Sequence, residues 1–117
     1  MKTLTILFLC LSLALILAAC QPTSDHDIRG VWQYTMTASD GNVYDNGTIT
    51  FSGSPTRGTY LQVNIYEIEY DGEYQVSGAN ISLSGSETWQ GAFVDANQIN
   101  GTWQHENGDS GTFSAVR

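Results

Sequence analysis

The chain ends in QINGTWQHENGDSGTFSAVR, residues 98–117, and this stretch decides the fold. It holds Gly101-Thr102-Trp103 and, after a polar turn, Gly111-Thr112-Phe113. Residues i and i+2 of a β-strand lie on the same face, so each glycine leaves a space beside a large inward ring. A ring of the neighbouring strand can fill that space, and the missing side chain lets the strand bend. The stretch therefore predicts a strongly curved β-hairpin.

The same spacing of glycine and aromatic residue recurs upstream. It occurs in Gly30-Val31-Trp32, Gly58-Thr59-Tyr60, Gly72-Glu73-Tyr74 and Gly91-Ala92-Phe93. Segments rich in Val, Ile, Thr and aromatic residues alternate with breaks of Gly, Asn, Asp and Ser, which is typical of strands and turns. The predicted strands cover residues 30–38, 46–52, 58–69, 72–77, 80–84, 87–94, 98–105 and 110–117.

Two dipeptides predict tight hairpin turns, Asp71-Gly72 and Asn107-Gly108, because a type I′ turn needs positive φ at both central residues. The long third segment changes its inward parity along its length. A bulge near Ile65–Tyr66 would reconcile the two halves.

Eight antiparallel strands joined by hairpins predict an all-β fold, an up-and-down meander barrel. At this strand number the interior is about filled by side chains or holds one small ligand. The inward aromatics are candidates for lining a small apolar pocket, and the alternative, which we favour, is a packed core. These residues are Trp32, Phe51, Tyr74, Trp89 and Trp103.

The N-terminal residues have the pattern of a targeting segment. Lys2 precedes an apolar run of about 16 residues, which is short of the roughly 20 needed to span a bilayer. Leu17-Ala18-Ala19-Cys20 then resembles the lipobox of bacterial lipoproteins. The sequence therefore predicts a signal peptide at 1–19, a lipidated N-terminus and polar tether at 20–27, and a barrel domain at 28–117.

The lipobox resemblance implies that Cys20 becomes the mature N-terminus, with diacylglycerol on its sulfur and an acyl chain such as palmitate on its nitrogen. It places the protein in the bacterial cell envelope, anchored to a membrane. In a double-membrane organism, Gln21 at the following position implies the outer membrane, on its periplasmic side or at the cell surface.

The strand that opens the barrel domain resembles a second family. Gly30-Val31-Trp32 resembles the G-x-W signature of the calycins, the superfamily of lipocalins and avidins, and Thr88-Trp89-Gln90-Gly91 is similar to an avidin segment. The resemblance implies a lipocalin-like barrel in which Gly30, Trp32 and Arg117 pack at the closed end. The chain lacks the lid loop, the second motif and the C-terminal helix of true lipocalins.

Composition argues against several functions. The net charge of −8 disfavours a nucleic-acid binder, which needs basic residues on one face. The acidic run Glu67, Glu69, Asp71 and Glu73 fits a solvated strand better than a calcium site or a pair of catalytic carboxylates. The two histidines, at 26 and 105, make a weak metal set. We expect no enzymatic activity, no cofactor and no metal.

Three functions remain open at this stage. The first is a barrel that binds a small apolar ligand. The second is a protein-interaction module, such as an inhibitor of a basic envelope-attacking hydrolase, with Gly53 to Gly58 and the acidic strand edge as its surface. The third is a structural envelope protein.

Overall fold

The strands follow one another in chain order around a closed antiparallel barrel, which β8 completes by pairing with β1. The fold comes from a computed structural model that describes residues 22–117. The strands are β1 (Gly30–Ala38), β2 (Val43–Gly53), β3 (Arg57–Asn64), β4 (Glu69–Ser77), β5 (Asn80–Ser84), β6 (Glu87–Asp95), β7 (Gln98–His105) and β8 (Ser110–Val116). The predicted eight-stranded meander barrel is confirmed.

The predicted signal peptide, Cys20 and Gln21 lie outside the described residues. Within residues 22–117, no helix is long and apolar enough to cross a membrane.

The hairpin connections alternate between the two ends of the barrel. We call one end the mouth; it carries the loops at 39–42, 65–68, 85–86 and 106–109. We call the other the closed end; it carries the loops at 54–56, 78–79 and 96–97, the start of β1 and the C-terminus.

The glycine–aromatic spacing fixes the register of two hairpins. Gly101 of β7 pairs with Phe113 of β8, and Trp103 of β7 pairs with Gly111 of β8. A Cβ on Gly101 would come within 2.7 Å of the Phe113 ring. Each glycine therefore makes room for the ring opposite it, as the sequence predicts.

The β3–β4 pair repeats this reciprocal arrangement. Gly58 pairs with Tyr74 and Tyr60 pairs with Gly72, and a Cβ on either glycine would meet the opposite ring. The prediction of a turn at Asp71-Gly72 is therefore wrong, because Gly72 lies inside β4 and gives space to Tyr60. Asn107-Gly108 does lie in the β7–β8 turn, with Gly108 at φ 95°, but Asn107 does not have positive φ, so the predicted type I′ geometry is wrong.

The predicted third strand, 58–69, is also wrong at its end. β3 stops at Asn64, and residues 65–68 form the connection to β4. The Asn64 side chain stabilises this connection, because its Oδ1 accepts hydrogen bonds from the backbone N–H groups of Tyr66 and Ile68, both at 3.0 Å. The change of parity marks this turn rather than a bulge.

The core fills the barrel along its whole length. Its members are the inward residues of the eight strands together with Ile28, which precedes β1 and is fully buried. They are Ile28, Trp32, Tyr34, Met36, Ile49, Phe51, Tyr60, Tyr74, Val76, Ile81, Leu83, Trp89, Phe93, Ile99, Trp103, Phe113 and Ala115.

Gly101→Ala tests the register constraint. The added Cβ would lie 2.5 Å from the Gly91 Cα and 2.7 Å from Phe113, with backbone on one side. Overpacking of this kind costs about 3 kcal/mol, so we expect a large loss in denaturant midpoint. Gly41→Ala is the control: it meets no atom within 4 Å and bears only the strain of φ 89°, about 1 kcal/mol. Equal losses in the two variants would contradict the explanation.

Candidate functional site

The five aromatic residues predicted as pocket lining lie in the packed interior. Their exposed fractions are 0% for Trp32, 4% for Phe51, 1% for Tyr74, 1% for Trp89 and 2% for Trp103. Phe51 and Tyr74 meet edge-on at 5.3 Å between ring centroids, and Trp89 pairs with Trp103 across the β6–β7 ladder. The grooves at Thr88, Thr102 and Thr112 lie on the outer wall. Side chains, rather than open space, occupy the centre of the barrel.

The closed end is sealed by Arg117. Its guanidinium carbon lies 4.3 Å from the centroid of the Trp32 ring, and its Nε and Nη2 donate to the Ala96 carbonyl at 3.0 and 2.7 Å. The Trp32 indole donates to the Ile28 carbonyl at 2.8 Å. Gly30 precedes Trp32 with φ 113°, a conformation that favours glycine.

Residues 23–28, which we call the N-terminal strap, lie against the same end. The Asp25 N–H donates to the Gly78 carbonyl at 2.9 Å, and the Gly78 N–H donates to Thr23. The His26 ring contacts Phe93 edge-on at 5.2 Å. With Ile28 buried, the strap is fixed to the barrel over most of the predicted tether.

An ion pair closes the strap. Arg29 Nη2 lies 2.7 Å from Asp27 Oδ2, and its hydrogen bonds lower the pKa of the Asp27 carboxyl to about 2. Both side chains are about half exposed, so the pair contributes little to stability.

The mouth holds polar side chains that the sequence analysis missed. Gln62 and Asn64 of β3 and Glu87 of β6 point inward, with exposed fractions of 1%, 8% and 8%. The sequence does contain a signal for their burial. Gln62 and Asn64 alternate in step with the inward Tyr60, and Glu87 lies two residues from the inward Trp89. On β3 this pattern is hard to recognise, because the apolar residues Leu61 and Val63 face outward and the polar residues between them face inward.

Two further contacts join polar groups to the core at this end of the barrel. The Tyr34 hydroxyl donates to Asp45 Oδ2 at 3.1 Å, and Gln62 Nε2 lies 3.9 Å from the Met36 sulfur. Burial raises the pKa of the Tyr34 hydroxyl and raises that of Tyr60 to about 12. Both phenols are therefore neutral hydrogen-bonding groups at physiological pH.

Glu87 is the most unusual group at the mouth. Its Oε2 accepts a hydrogen bond from the Trp89 indole at 3.3 Å, and it pairs in register with His105. Burial raises the pKa of the Glu87 carboxyl; the Trp89 hydrogen bond and His105 oppose this effect, and the Asp45 carboxylate adds to it. Among residues 22–117 the one ion pair is Arg29–Asp27 at the opposite end, so no basic side chain lies within ion-pair distance of Glu87.

An exposed aromatic ring borders this carboxylate. Tyr44 packs on Trp103 at 4.3 Å between ring centroids and is 40% exposed, while the Trp103 indole donates to the Thr37 carbonyl at 3.2 Å. The Glu87, Asp45 and Asp109 carboxylates all contribute, after burial, to raising the pKa of the Tyr44 hydroxyl. An aromatic surface beside carboxylates suits a positively charged group.

The other sequence candidates do not converge. Glu67, Glu69, Asp71 and Glu73 are exposed on the β3–β4 loop and the outer wall of β4. His26 lies at the closed end and His105 at the mouth. In the described part of the chain, no three His, Cys, Asp or Glu side chains are grouped to hold a metal ion.

Arg117→Lys tests the closing contact at Trp32. Lysine keeps the positive charge but lacks the planar guanidinium group, which donates two hydrogen bonds to the Ala96 carbonyl and stacks on the Trp32 indole. We expect a loss of about 1 kcal/mol, which lowers Tm by about 4–8 °C in a domain of this size. Arg57→Lys, an exposed arginine at the same end, should leave Tm unchanged. Equal shifts would show that the stacked guanidinium contributes nothing specific.

Glu87→Gln tests the buried carboxylate. The pKa of Glu87 is higher in the native state than its ordinary value of 4.5. The carboxyl therefore does not destabilise the fold below pH 4.5, and the free energy of unfolding falls as the pH rises from 4.5 through the native pKa. We therefore expect the variant to be more stable than the native protein at pH 7 and equal to it near pH 4. A gain of about 1 kcal/mol corresponds to about 4–8 °C in Tm.

Glu73→Gln, on the exposed wall of β4, serves as the control for charge removal and should change Tm little at either pH. A Glu87→Gln protein that is less stable at pH 7 would mean that the charged form is favoured at this site.

Comparison with known proteins gives structural neighbours only. No protein-family model matches the chain, and no curated protein matches it significantly. Among solved structures, a redesigned β-barrel is similar with a TM-score of 0.61 and 18% identity over 81% of this chain and 98% of that chain. A redesigned barrel, mFAP1, bound to DFHBI is similar with a TM-score of 0.59 and 19% identity, over 77% of this chain and 94% of that chain.

A de novo designed fluorescence-activating barrel is also similar, with a TM-score of 0.57 and 16% identity over 78% of this chain and 94% of that chain. At these identities the likeness concerns the fold. The chain is a small closed eight-stranded antiparallel barrel that resembles these designed barrels.

Proposed function

We propose that this chain is a lipid-anchored, non-enzymatic binding protein of the bacterial cell envelope, whose mouth binds the positively charged group of a ligand. The lipobox at residues 17–20 supports the anchor on Cys20 and, with Gln21, a place at the outer membrane. The burial of Glu87 without a cationic partner supports the site.

The strap gives the anchored barrel an orientation. Residues 21 and 22 separate Cys20 from the strap, and the three steps from Cys20 to Thr23 span at most about 10 Å. Because the strap is fixed to the closed end, that end faces the membrane and the mouth faces away from it. The binding site is then accessible from the aqueous side.

The small ligand belongs at the mouth rather than in the interior. Three of the barrels that resemble this chain, mFAP1 among them, are bound to DFHBI, which supports small-molecule binding by a barrel of this size. Here the rings of Phe51, Tyr74 and Trp89 occupy the centre. The ligand would instead meet Glu87, the Tyr44 ring and the neutral hydroxyl of Tyr34.

A cationic ligand would offset the unfavourable free energy of keeping the charged Glu87 carboxylate buried. Glu87 has lost most of its water, so an ammonium group beside it gains more than it would beside a solvated acid. The Tyr44 ring adds a cation–π contribution of about 0.5–2 kcal/mol.

Calorimetric titration with benzyltrimethylammonium tests the site, with benzyl alcohol and benzoate as neutral and anionic analogues. We expect the cation to bind more tightly than either analogue, and Glu87→Gln to weaken it about tenfold, which is about 1.4 kcal/mol. Glu73→Gln should bind it like the native protein. Equal affinity for benzyl alcohol, or no effect of Glu87→Gln, would rule out this site.

Mass spectrometry of the protein isolated from bacterial membranes tests the anchor. We expect a chain that begins at Cys20 with diacylglycerol on the thiol, and release of the Cys20→Ser variant from the membrane. An intact chain that begins at Met1, with an unmodified cysteine, would refute the lipid anchor. The binding site at the mouth would still be tested separately by the titration.

A further inference from the structure

We infer that the positively charged group bound at the mouth is a lysine or arginine side chain of a basic protein, which docks on the rim around it. This inference rests on the proposed function, and it names the partner class of the same site. It places the partner surface at the end that carries the acidic strand edge suggested by the sequence, opposite the loop Gly53–Gly58 that the sequence suggests with it.

Charge is segregated between the two ends of the barrel. The described residues carry all 12 carboxylates of the chain and three arginines, Arg29, Arg57 and Arg117, all at the closed end. Eight carboxylates lie in the mouth loops or in the mouth half of a strand, where the described chain has neither lysine nor arginine. They are Asp40, Asp45, Glu67, Glu69, Asp71, Glu87, Glu106 and Asp109.

The same end presents an apolar rim, which we define as Val43, Tyr44, Ile65, Tyr66 and Ile68. Their exposed fractions are 62%, 40%, 62%, 76% and 48%. The backbone N–H of Ile65 donates to the Asn46 carbonyl at 3.0 Å, so the two parts of the rim lie side by side. Exposed aliphatic and tyrosine side chains grouped on one end mark an interaction surface.

The rim is held in a defined shape. Asn64 fixes the loop through its two backbone hydrogen bonds, and Glu67 has φ 62°, which sets the reversal of the chain. A surface that is ordered before binding loses less conformational entropy on association. Tyr66 and Ile68 are therefore presented as anchors beside carboxylates.

This combination favours a basic protein over other occupants. Phosphate-rich surfaces of nucleic acids and anionic lipids are repelled by the acidic end, and a second copy of the same end would be repelled as well. A basic protein would be steered to the mouth by its charge and retained by the apolar rim. One basic side chain could then reach Glu87 below the rim.

The test uses the mature lipidated protein in detergent and an amphipathic helical peptide of lysine and leucine. Polylysine of equal charge and a glutamate–leucine peptide serve as comparison probes. We expect the lysine–leucine peptide to bind at least tenfold more tightly than polylysine and to weaken with added salt, and the glutamate–leucine peptide not to bind. Binding of polylysine as tightly as the amphipathic peptide would overturn the role of the rim.

A matched pair of variants separates the rim from the rest of the barrel. The triple variant Ile65→Ser, Tyr66→Ser, Ile68→Ser should weaken the amphipathic peptide at least tenfold and leave benzyltrimethylammonium unchanged. Val31→Ser with Val94→Ser removes two side chains that are each 59% exposed and lie towards the closed end, and should have no effect. Circular dichroism checks that all variants are folded.

The outcomes distinguish the two proposals. If the small cation binds in a Glu87-dependent way but the rim variant binds the peptide normally, the docking inference is wrong and the proposed site stands. If neither probe depends on Glu87, the proposed site fails. If the closed-end variant weakens the peptide as much as the rim variant, the partner does not dock at the mouth.

Discussion

Two antiparallel strands that each carry a glycine two residues before an aromatic ring fit each other best in one register. The glycine of each strand must face the ring of the other, as Gly58 faces Tyr74 and Tyr60 faces Gly72. A slip of two residues would set ring against ring in one direction, or glycine against glycine with a void between them in the other, inside a space that has no room for two facing rings. A slip of one would turn the ring of one of the two strands outward. The spacing therefore specifies pairing, curvature and packing together.

A barrel closed in this way has little interior left for function. Three tryptophans and the rings packed against them occupy the centre of the barrel. The inward side chains that are not needed for this packing lie at the mouth. Gln62, Asn64 and Glu87 stand at inward positions that apolar residues would occupy more favourably. Asn64 has a structural reason, because it holds the β3–β4 loop. Glu87 accepts the hydrogen bond of the Trp89 indole, which a neutral amide could also accept, so the negative charge has no comparable structural role and makes Glu87 the focus of the proposed site.

The fold could be predicted because strand alternation and the glycine–aromatic spacing are local signals that agree with the closed topology. The strand count, the inward rings and the Asn107-Gly108 turn follow from them. Asp71-Gly72 was misassigned because the same dipeptide is a turn signal and a space-making element, and the ring that decides between them, Tyr60, lies on another strand. The mouth could not be predicted because burial of Gln62 and Glu87 depends on which strands meet across the interior.

The two ends of the barrel differ for a reason that links the fold to the proposed site. At the closed end, Arg117 covers Trp32 and the strap covers Phe93, so the rings there are sealed and their polar atoms paired. At the mouth, Tyr44 covers Trp103 but remains partly exposed, and Glu87 is buried without an ion-pair partner. Desolvation that raises the pKa of this carboxyl also strengthens its attraction for a cation that reaches it, because both effects come from the loss of water around one group. The proposed site therefore lies at the end of the barrel where the carboxylates of the described chain are concentrated.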